Sequence, residues 1–221
     1  MIYTDLTKLA LRISFEAHKN QTDKSGLPYV YHPFHLAEQM DDEISTCVAL
    51  LHDVAEDTSL TVDDLQAMGF PHEVTDALQL LTHRSGVPYL DYIEEIRQNP
   101  VAVRVKLADL AHNSDWSRLD VFDAKAQERL VKYDMARQLL HGWVKRSDIR
   151  TIRGFVTPCC GIKVPQDSRF CTFCGEPLNG GAACLMDWDD GFTAYFCREC
   201  GCSVPLRDRF CRYCGTPIVR G

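Results

Sequence analysis

The chain has 221 residues, of which 45% are hydrophobic, and its formal net charge is −7 at pH 7. This length suits one hydrophobic core with a smaller module beside it, so we predict two domains. The acidic balance argues against general DNA binding, and the lack of long apolar runs or a signal-like start predicts a cytoplasmic protein without membrane contact.

The first 148 residues carry the apolar periodicity of helices and almost no strand pattern. Apolar residues recur three and four positions apart, which places them on one face of a helix. We predict helices at about 4–20, from Pro33 onward, and at about 42–55, 61–69, 71–83, 89–98, 103–113 and 123–143. The chain is therefore predicted to be mainly α, with an all-helical domain over 1–148, a linker over 149–155 and a cysteine-rich module over 156–221.

A polar loop with Gly and Pro separates the first two predicted helices and leads into Tyr31-His32-Pro33. Pro33 suits the first position of a helix, because its missing N–H is not needed there. His32 then lies at or beside the helix N-cap. Taken alone, His32 is most simply interpreted as a capping residue.

The segment from His52 to Thr58 concentrates chemically capable side chains. His52-Asp53 is followed one helical turn later by Glu56-Asp57. An imidazole next to a carboxylate suits Mn, Fe, Zn or Co better than Ca or Mg, and the two later carboxylates could activate a bound water. The alternative interpretation is an exposed acidic helix end that happens to contain a histidine.

The predicted helix over 103–113 carries a polar stripe of Lys106, Asp109 and Asn113 in a segment otherwise rich in Val, Leu and Ala. A carboxylate among apolar neighbours is costly unless it is paired or ligates a metal, so Asp109 needs a partner. Two interpretations stay open at this stage: an ion pair with Lys106, or a metal ion shared with His52 and Asp53.

Together, the motifs Tyr31-His32-Pro33, His52-Asp53 with Glu56-Asp57, and Lys106-Leu107-Ala108-Asp109 with His112-Asn113 resemble the HD-domain metal-dependent phosphohydrolases. The resemblance covers roughly residues 4–145 and is strongest to the hydrolase domain of the RelA/SpoT alarmone enzymes. It implies an all-helical fold with one divalent metal, typically manganese, bound by His32, His52, Asp53 and Asp109. It also implies that Glu56 and Asp57 act as acid and base on the attacking water, and that the reaction removes the 3′-pyrophosphate of guanosine tetra- or pentaphosphate.

The substrate residues follow from the same resemblance. Lys24-Ser25-Gly26 falls where the family contacts its substrate, and we predict Lys24, Ser25 and Asn113 as substrate-binding residues. A lysine beside a small, flexible turn suits a phosphate group. The chain departs from the family at two places: Asp23 stands where a basic residue commonly precedes this Lys, and Ser114-Asp115 stands where an Arg usually follows the Asn.

Ten of the eleven cysteines lie after residue 158, which indicates metal binding rather than disulfides in a chain without an export signal. Residues 156–178 recur as 196–218, with an offset of 40. Each copy resembles a zinc ribbon, in which two Cys-x-x-Cys turns surround one zinc ion. The second copy is complete, and its predicted ligands are Cys197, Cys200, Cys211 and Cys214.

The first copy is irregular, because Thr157 stands where the second copy has Cys197. Cys160, Cys171 and Cys174 match ligands of the second copy, while Cys159 and Cys184 are both candidates for the fourth ligand. We choose Cys159, which is nearest, although adjacent cysteines are an awkward pair on one metal. The module is too small to form a core unaided and is expected to fold on two zinc ions.

The aromatic residues beside the predicted zinc ligands are Phe170, Phe173, Phe210 and Tyr213. We predict that they pack over the zinc sites rather than stack on nucleic-acid bases, because the few nearby arginines are balanced by acids. A protein or RNA partner for the ribbons stays open.

The leading functional prediction is a manganese-dependent phosphohydrolase that acts on an alarmone-type guanosine 3′-pyrophosphate and carries two zinc ions in its tail. Two alternatives stay open. The same metal site could hydrolyse another nucleotide or phosphate ester, or the protein could be a non-catalytic nucleotide sensor whose ribbons bind a partner. Glu56 and Asp57 favour catalysis, because a pure binder has no need of an acid/base pair.

Overall fold

A computed structural model describes residues 1–115, 118, 124–189, 195–205 and 208–219. The chain divides into two compact units, Met1–Asp120 and Val121–Gly221, which we call the N-terminal and C-terminal units. The domain boundaries given by the sequence remain predictions. Within the described ranges, no helix is both long enough and apolar enough to cross a bilayer.

Helices make up the described part of the N-terminal unit, apart from one isolated β-bridge between Thr22 and Pro28. They are α1 (Asp5–His18), α2 (Tyr31–Glu38), α3 (Glu43–Asp57), α4 (Val62–Ala67), α5 (His72–Leu81), α6 (Tyr89–Ile96) and α7 (Pro100–Asn113). The predicted helical character of this part of the chain agrees with these elements.

Local sequence signals set several helix starts. Thr4 and Thr7 form a reciprocal capping box at α1, and Thr61 with Asp64 forms another at α4. Helix α2 begins at Tyr31, two residues earlier than the predicted start at Pro33. The proline is tolerated there because the first turn of a helix leaves its N–H groups without intrahelical partners.

Helix α3 is the central helix of the N-terminal unit. Its residues from Ser45 to Val54 are all buried, and it packs against α1, α2, α5 and α7. A helix that is covered on all sides holds its side chains in fixed positions. Helices α2 and α7 also pack against each other. This packing brings His32 and Asp109 to the turn of α3 that carries His52 and Asp53.

The C-terminal unit combines one long helix with short antiparallel strands. Its described elements are α8 (Ala124–Leu140), a 3-10 turn (Arg146–Asp148), β1 (Ile149–Val156), β2 (Lys163–Pro165), β3 (Ala182–Asp189), β4 (Tyr195–Phe196) and β5 (Ser203–Val204). Strand β1 lies between β2 and β3 in a three-stranded sheet, and β4 pairs with β5.

Residues 149–155, predicted as a linker, form most of strand β1. Along its whole length β1 pairs with β3, and near its end also with β2. The sequence pattern did not indicate this strand because much of it faces solvent, so hydrophobic alternation is weak. The strand is specified by its two partners rather than by its own composition.

The two ribbon repeats interlock through equivalent backbone groups. Each repeat offers one carbonyl oxygen to two N–H groups of the other. The hydrogen bonds are Arg169 N and Phe170 N to Arg212 O, at 2.8 and 3.0 Å, and Arg209 N and Phe210 N to Thr172 O, at 2.9 and 3.1 Å. The two copies of the 40-residue repeat therefore form one module with internal pseudo-symmetry.

Two phenylalanines complete this interlock. The Phe170 ring lies against Gly215 of the second repeat, and the Phe210 ring lies against Gly175 of the first. A Cβ atom at either glycine would come within 2.7 Å of the facing ring. Both rings are therefore used in packing between the repeats. The prediction that the four aromatic residues pack over the zinc sites stays a prediction.

We expect Gly215→Ala to destabilise the ribbons. Alanine at φ +76° costs about 1–2 kcal/mol, and the clash with Phe170 adds about 1–3 kcal/mol. The measurement is denaturant unfolding of the zinc-loaded protein, in which a colorimetric chelator reports the zinc that is released. Gly201→Ala is the matched control, because its φ is +69° but no described atom lies within 4 Å of the new Cβ. Equal losses in both variants would contradict the interlock.

Candidate active site

Four buried side chains from three helices meet in the N-terminal unit. They are His32 on α2, His52 and Asp53 on α3, and Asp109 on α7, and the most accessible of them, Asp53, is only 8% exposed. Ionisable side chains are rarely buried this deeply unless they are paired or bind a metal. These are the four residues that the sequence motifs single out.

The distances between their ligand atoms suit one shared ion. His32 Nε2 lies 3.3 Å from Asp109 Oδ1 and 3.5 Å from Asp53 Oδ2. His52 Nε2 lies 3.1 Å from Asp53 Oδ1. Adjacent ligand atoms about 2.1 Å from one ion are about 3 Å apart. Atoms of His32, His52 and Asp109 all lie within 4.8 Å of one another. Asp53 is not a member of this set of three, although one of its oxygens approaches His32 and the other approaches His52.

The His52 ring shows that the donor set fits a cation. Its Nδ1 lies 2.9 Å from the Ala49 carbonyl oxygen, so a proton on Nδ1 can be donated to that oxygen. Its buried Nε2 lies 3.1 Å from Asp53 Oδ1 but makes no hydrogen bond to any described residue. A buried nitrogen without a partner calls for an explanation, and a lone pair directed at a metal supplies one. Two imidazoles with two carboxylates suit Mn²⁺ and similar ions.

Asp109 has partners on both of its oxygens. Lys106 Nζ donates to Oδ2 at 2.8 Å, and Asn113 Nδ2 donates to Oδ1 at 2.5 Å. Burial favours the protonated acid, but Lys106 and the nearby His32 and His52 hold the pKa of Asp109 well below its usual range. Both interpretations of Asp109 are thus compatible, since the Lys106 ion pair leaves Oδ1 facing His32.

We expect Lys106→Met to lower the free energy of unfolding by about 3–5 kcal/mol, because it leaves a buried carboxylate without its cation. Added Mn²⁺ should reduce this loss by supplying positive charge at Asp109. Urea unfolding followed by far-UV circular dichroism measures both effects. Lys8→Met is the matched control, since the exposed Lys8–Asp5 pair also spans three residues and is worth about 0–1 kcal/mol. Similar losses in the two variants would contradict the buried pair.

Tyr29 is a site residue that the sequence motifs did not indicate. Its hydroxyl donates to Asp53 Oδ2 at 2.6 Å, which fixes the orientation of that carboxylate. Burial and the Asp53 charge raise the pKa of Tyr29 well above its usual range, so it stays a donor. The sequence offered one signal for a role of Tyr29 in the site, which is its position two residues before the Tyr31-His32-Pro33 motif. A tyrosine in a loop does not by itself indicate a site residue.

Glu56 and Asp57 end helix α3 with exposed side chains. Protein around the Glu56 carboxyl group removes part of its water, which raises its pKa, while Lys106 partly offsets this effect. The pKa of Asp57 is also raised, because the protein around its carboxyl group displaces part of the water and the Asp53 charge lies nearby. Carboxyl groups with raised pKa values are better proton acceptors, as general acid/base catalysis requires.

The loop with Lys24 and Ser25 is organised by Asp23. Asp23 Oδ1 accepts hydrogen bonds from the N–H groups of Ser25 and Leu27, at 2.9 and 3.0 Å. Its Oδ2 lies 3.2 Å from Arg118 Nη2, and Ser25 Oγ donates to the Arg118 carbonyl at 2.7 Å. The acidic residue at position 23 therefore pairs with an arginine that lies five positions after Asn113. Lys24 is exposed at the loop surface.

A cavity of about 190 Å³ is lined by one of the four buried side chains, His32, and its lining also includes Asp23, His112 and Arg118. His112 Nδ1 lies 2.6 Å from His32 Nδ1, and the His112 ring stacks on His35 at 4.3 Å. Partial burial, together with the nearby His32 and Arg118, lowers the pKa of His112 to about 4. The third motif contains His112 but gave it no role, and Arg118 lies outside every motif.

The C-terminal unit contains two clusters of four cysteine Sγ atoms, each cluster within 4.8 Å. One contains Cys159, Cys160, Cys171 and Cys174, and the other contains Cys197, Cys200, Cys211 and Cys214. Four thiolates at this separation suit a structural zinc site. Cys159 is therefore close enough to be the fourth ligand of the first site. Cys184 is not in the cluster and lies on β3, opposite Gly154.

Comparisons with known proteins agree with both predicted resemblances, that of the helical part and that of the cysteine-rich part. Residues 157–215 match the double zinc ribbon family. The chain is 31% identical over 165 residues to a GTP pyrophosphokinase of Myxococcus xanthus, which covers 64% of this chain and 21% of that protein. It is 32% identical over 119 residues to the bifunctional (p)ppGpp synthase/hydrolase SpoT of Escherichia coli, which covers 47% of this chain and 17% of that protein.

A third relative is the probable guanosine-3′,5′-bis(diphosphate) 3′-pyrophosphohydrolase of Synechocystis sp., which is 28% identical over 138 residues, or 56% of this chain and 18% of that protein. The chain is similar to the RelA/SpoT-type (p)ppGpp enzymes. The predicted resemblance is thereby confirmed, together with the double zinc ribbon. This RelA/SpoT-like chain spans about a fifth of the length of these curated relatives.

The solved structures include one with a similar fold, from a metazoan ortholog of SpoT that hydrolyses ppGpp. The TM-score is 0.53 and the sequence identity is 22%, and the match covers 66% of this chain and 89% of that chain. At this identity the likeness shows the fold alone. The helical fold is thus shared with that protein.

Proposed function

We propose that the protein is a metal-dependent phosphohydrolase that removes the 3′-pyrophosphate of guanosine tetra- or pentaphosphate. The observation that supports this proposal is the convergence of His32, His52, Asp53 and Asp109, with Glu56 and Asp57 on the same helix as His52 and Asp53. A bound Mn²⁺ would supply positive charge for the phosphoryl oxygens and would lower the pKa of a bound water. The names of the relatives and of the structural neighbour are consistent with such a substrate.

The remaining residues have defined tasks in this proposal. Tyr29 keeps Asp53 oriented, and Lys106 keeps Asp109 ionised. Glu56 accepts the proton of the attacking water, which its raised pKa favours. Asp57 is the proposed second member of the acid/base pair: its carboxylic acid form gives a proton to the leaving 3′-oxygen, which balances the proton that Glu56 takes from the water.

Three residues are proposed to bind the substrate. Lys24 is exposed on the loop and suits a phosphate group. Ser25 and Asn113 also bond to the protein, through the Arg118 carbonyl and Asp109 respectively. Their proposed contacts with substrate therefore use the remaining hydrogen-bonding capacity of the hydroxyl and amide groups.

The test is incubation of the purified protein and Mn²⁺ with guanosine tetraphosphate and a panel of other nucleotides, with assays for pyrophosphate and phosphate. A parallel reaction with GTP and ATP tests pyrophosphate transfer, because some of the relatives are named pyrophosphokinases. We expect pyrophosphate release from guanosine tetraphosphate and none from the Asp53→Ala variant. Formation of guanosine pentaphosphate from GTP and ATP, without cleavage of guanosine tetraphosphate, would overturn the proposed direction of the reaction.

A second candidate is hydrolysis of a different nucleotide at the same metal. The Asp23–Arg118 pair favours this candidate. Position 23, where the family commonly has a basic residue, carries an acid here, and this acid neutralises the charge of Arg118 beside the cavity. Cleavage of other nucleotides alone would replace the alarmone by that substrate. Binding of nucleotides without any release would point to the sensor, with the ribbons as the surface for a protein or RNA partner.

A further inference from the structure

A continuous chain of polar contacts joins the Asp23 loop to His32. Asp23 Oδ2 lies 3.2 Å from Arg118 Nη2, and Arg118 Nη1 lies 3.1 Å from His112 Nδ1. His112 Nδ1 in turn lies 2.6 Å from His32 Nδ1. Arg118 and His112 are the two middle residues in this series of polar contacts, and the proposed reaction assigns neither of them a role.

The contact between the two imidazoles determines where their protons lie. Two ring nitrogens 2.6 Å apart form a hydrogen bond only if one of them carries a proton. His32 Nε2 faces the carboxylates of Asp53 and Asp109 and must be unprotonated to bind an ion. A neutral His32 then carries its proton on Nδ1 and donates it to His112. His112 Nδ1 is the acceptor.

Arg118 also contacts His112, the residue that accepts the proton of His32. Its Nη1 donates to the His112 carbonyl oxygen at 3.2 Å as well as approaching the ring nitrogen. The guanidinium is itself fixed by Asp23, and the Arg118 and Asp23 side chains are 29% and 17% exposed. A planar group with two anchors has little freedom, so it restricts the backbone and the ring of His112 together.

We propose that His112 is a positioning residue for the metal site, held by the Asp23–Arg118 pair. By accepting the Nδ1 proton of His32, it fixes the tautomer and the ring orientation that direct Nε2 toward the ion. This inference rests on the proposed function insofar as it requires His32 to bind a metal. It also gives a structural task to the acidic residue at position 23.

The test measures the dissociation constant of Mn²⁺ for the full zinc-loaded chain, by counting free Mn²⁺ with electron paramagnetic resonance. We expect His112→Ala to raise the dissociation constant about 10–100-fold, as loss of the partner of a ligating histidine does elsewhere. His112→Asn should restore most of the affinity, because its side-chain oxygen can accept from His32. His35→Ala is the matched control, since His35 stacks on His112 without bonding to His32.

Wild-type Mn²⁺ affinity in a folded His112→Ala variant would overturn the inference, and so would an equal loss in His35→Ala. Asp23→Asn and Arg118→Ala provide a second route if His112→Ala does not fold. The Asp23→Asn variant keeps an acceptor for the loop N–H groups but loses the charge that holds Arg118, and we expect weaker Mn²⁺ binding in both variants.

These outcomes separate the inference from the proposed function. Weaker Mn²⁺ binding in His112→Ala without cleavage of any nucleotide would remove the hydrolase and keep the inference. Alarmone hydrolysis with unchanged Mn²⁺ affinity in His112→Ala would keep the hydrolase and remove the inference. A wild-type chain that binds no Mn²⁺ would overturn both.

Discussion

Glu56→Gln is expected to lower kcat for the proposed hydrolysis by about 10²–10⁴-fold, the usual contribution of a general acid or base. Glutamine has nearly the same shape as glutamate but cannot accept the proton of the attacking water. Glu56 does not belong to the convergent set of His32, His52 and Asp109, so Mn²⁺ affinity should change little. The measurement is pyrophosphate release under saturating substrate, beside a Mn²⁺ titration of the same preparation.

Glu43→Gln is the control for this prediction, because Glu43 lies in the first turn of the same helix, away from the metal-ligand motif. It should leave kcat unchanged. Asp57→Asn is also expected to lower kcat, because asparagine cannot donate the proton that Asp57 is proposed to give to the leaving 3′-oxygen. A kcat for Glu56→Gln within about tenfold of the wild type would reject the proposed base. Parallel losses of kcat and Mn²⁺ affinity would instead indicate a role in metal binding.

Removal of zinc is expected to unfold the ribbon repeats while the N-terminal helices remain folded. Structural zinc contributes about 10–16 kcal/mol in small zinc-binding peptides, far more than these small cores can replace. The buried cluster of the second ribbon contains only Cys197, Val204 and Cys211 among the described residues. Chelation should abolish protection of β1 and β3 amides in hydrogen exchange and leave the far-UV circular dichroism mostly helical.

Single cysteine variants sharpen this prediction. Cys214→Ser should lower zinc content and, through the interlock of Phe170 on Gly215, also increase hydrogen exchange in the first repeat. Cys202→Ser is the matched control from the same repeat, because Cys202 lies outside both clusters. Zinc content that falls equally in both variants would contradict the assigned ligands.

The fourth ligand of the first site can be tested in the same way. Cys159→Ser should lose zinc as Cys214→Ser does, whereas Cys184→Ser should keep two zinc ions. If Cys184→Ser loses zinc and Cys159→Ser keeps it, the fourth ligand is Cys184 rather than Cys159. Zinc content after gel filtration, measured by atomic absorption, decides between them.

The sequence by itself determined the features that depend on local patterns. Helix periodicity concerns residues within a few positions of each other, so it predicted the helices of the N-terminal unit that the structure contains. The cysteine repeat likewise defined both ribbons, because metal-ligand spacing constrains the chain directly. The separated motifs with His32, His52 and Asp109 predicted one site, and the structure brings ligand atoms of these three side chains within 4.8 Å of one another.

Only the tertiary structure decided the contacts between distant segments. Strand β1 was predicted as a linker because its pairing with β2 and β3 leaves little trace in its own sequence. The pairs His32–His112 and Asp23–Arg118 join residues 80 and 95 positions apart, and no spacing rule reaches that far. The first pair forms because α2, which carries His32, and α7, which carries His112, pack against each other and on α3. The second pair joins the Asp23 loop to a residue beyond the end of α7.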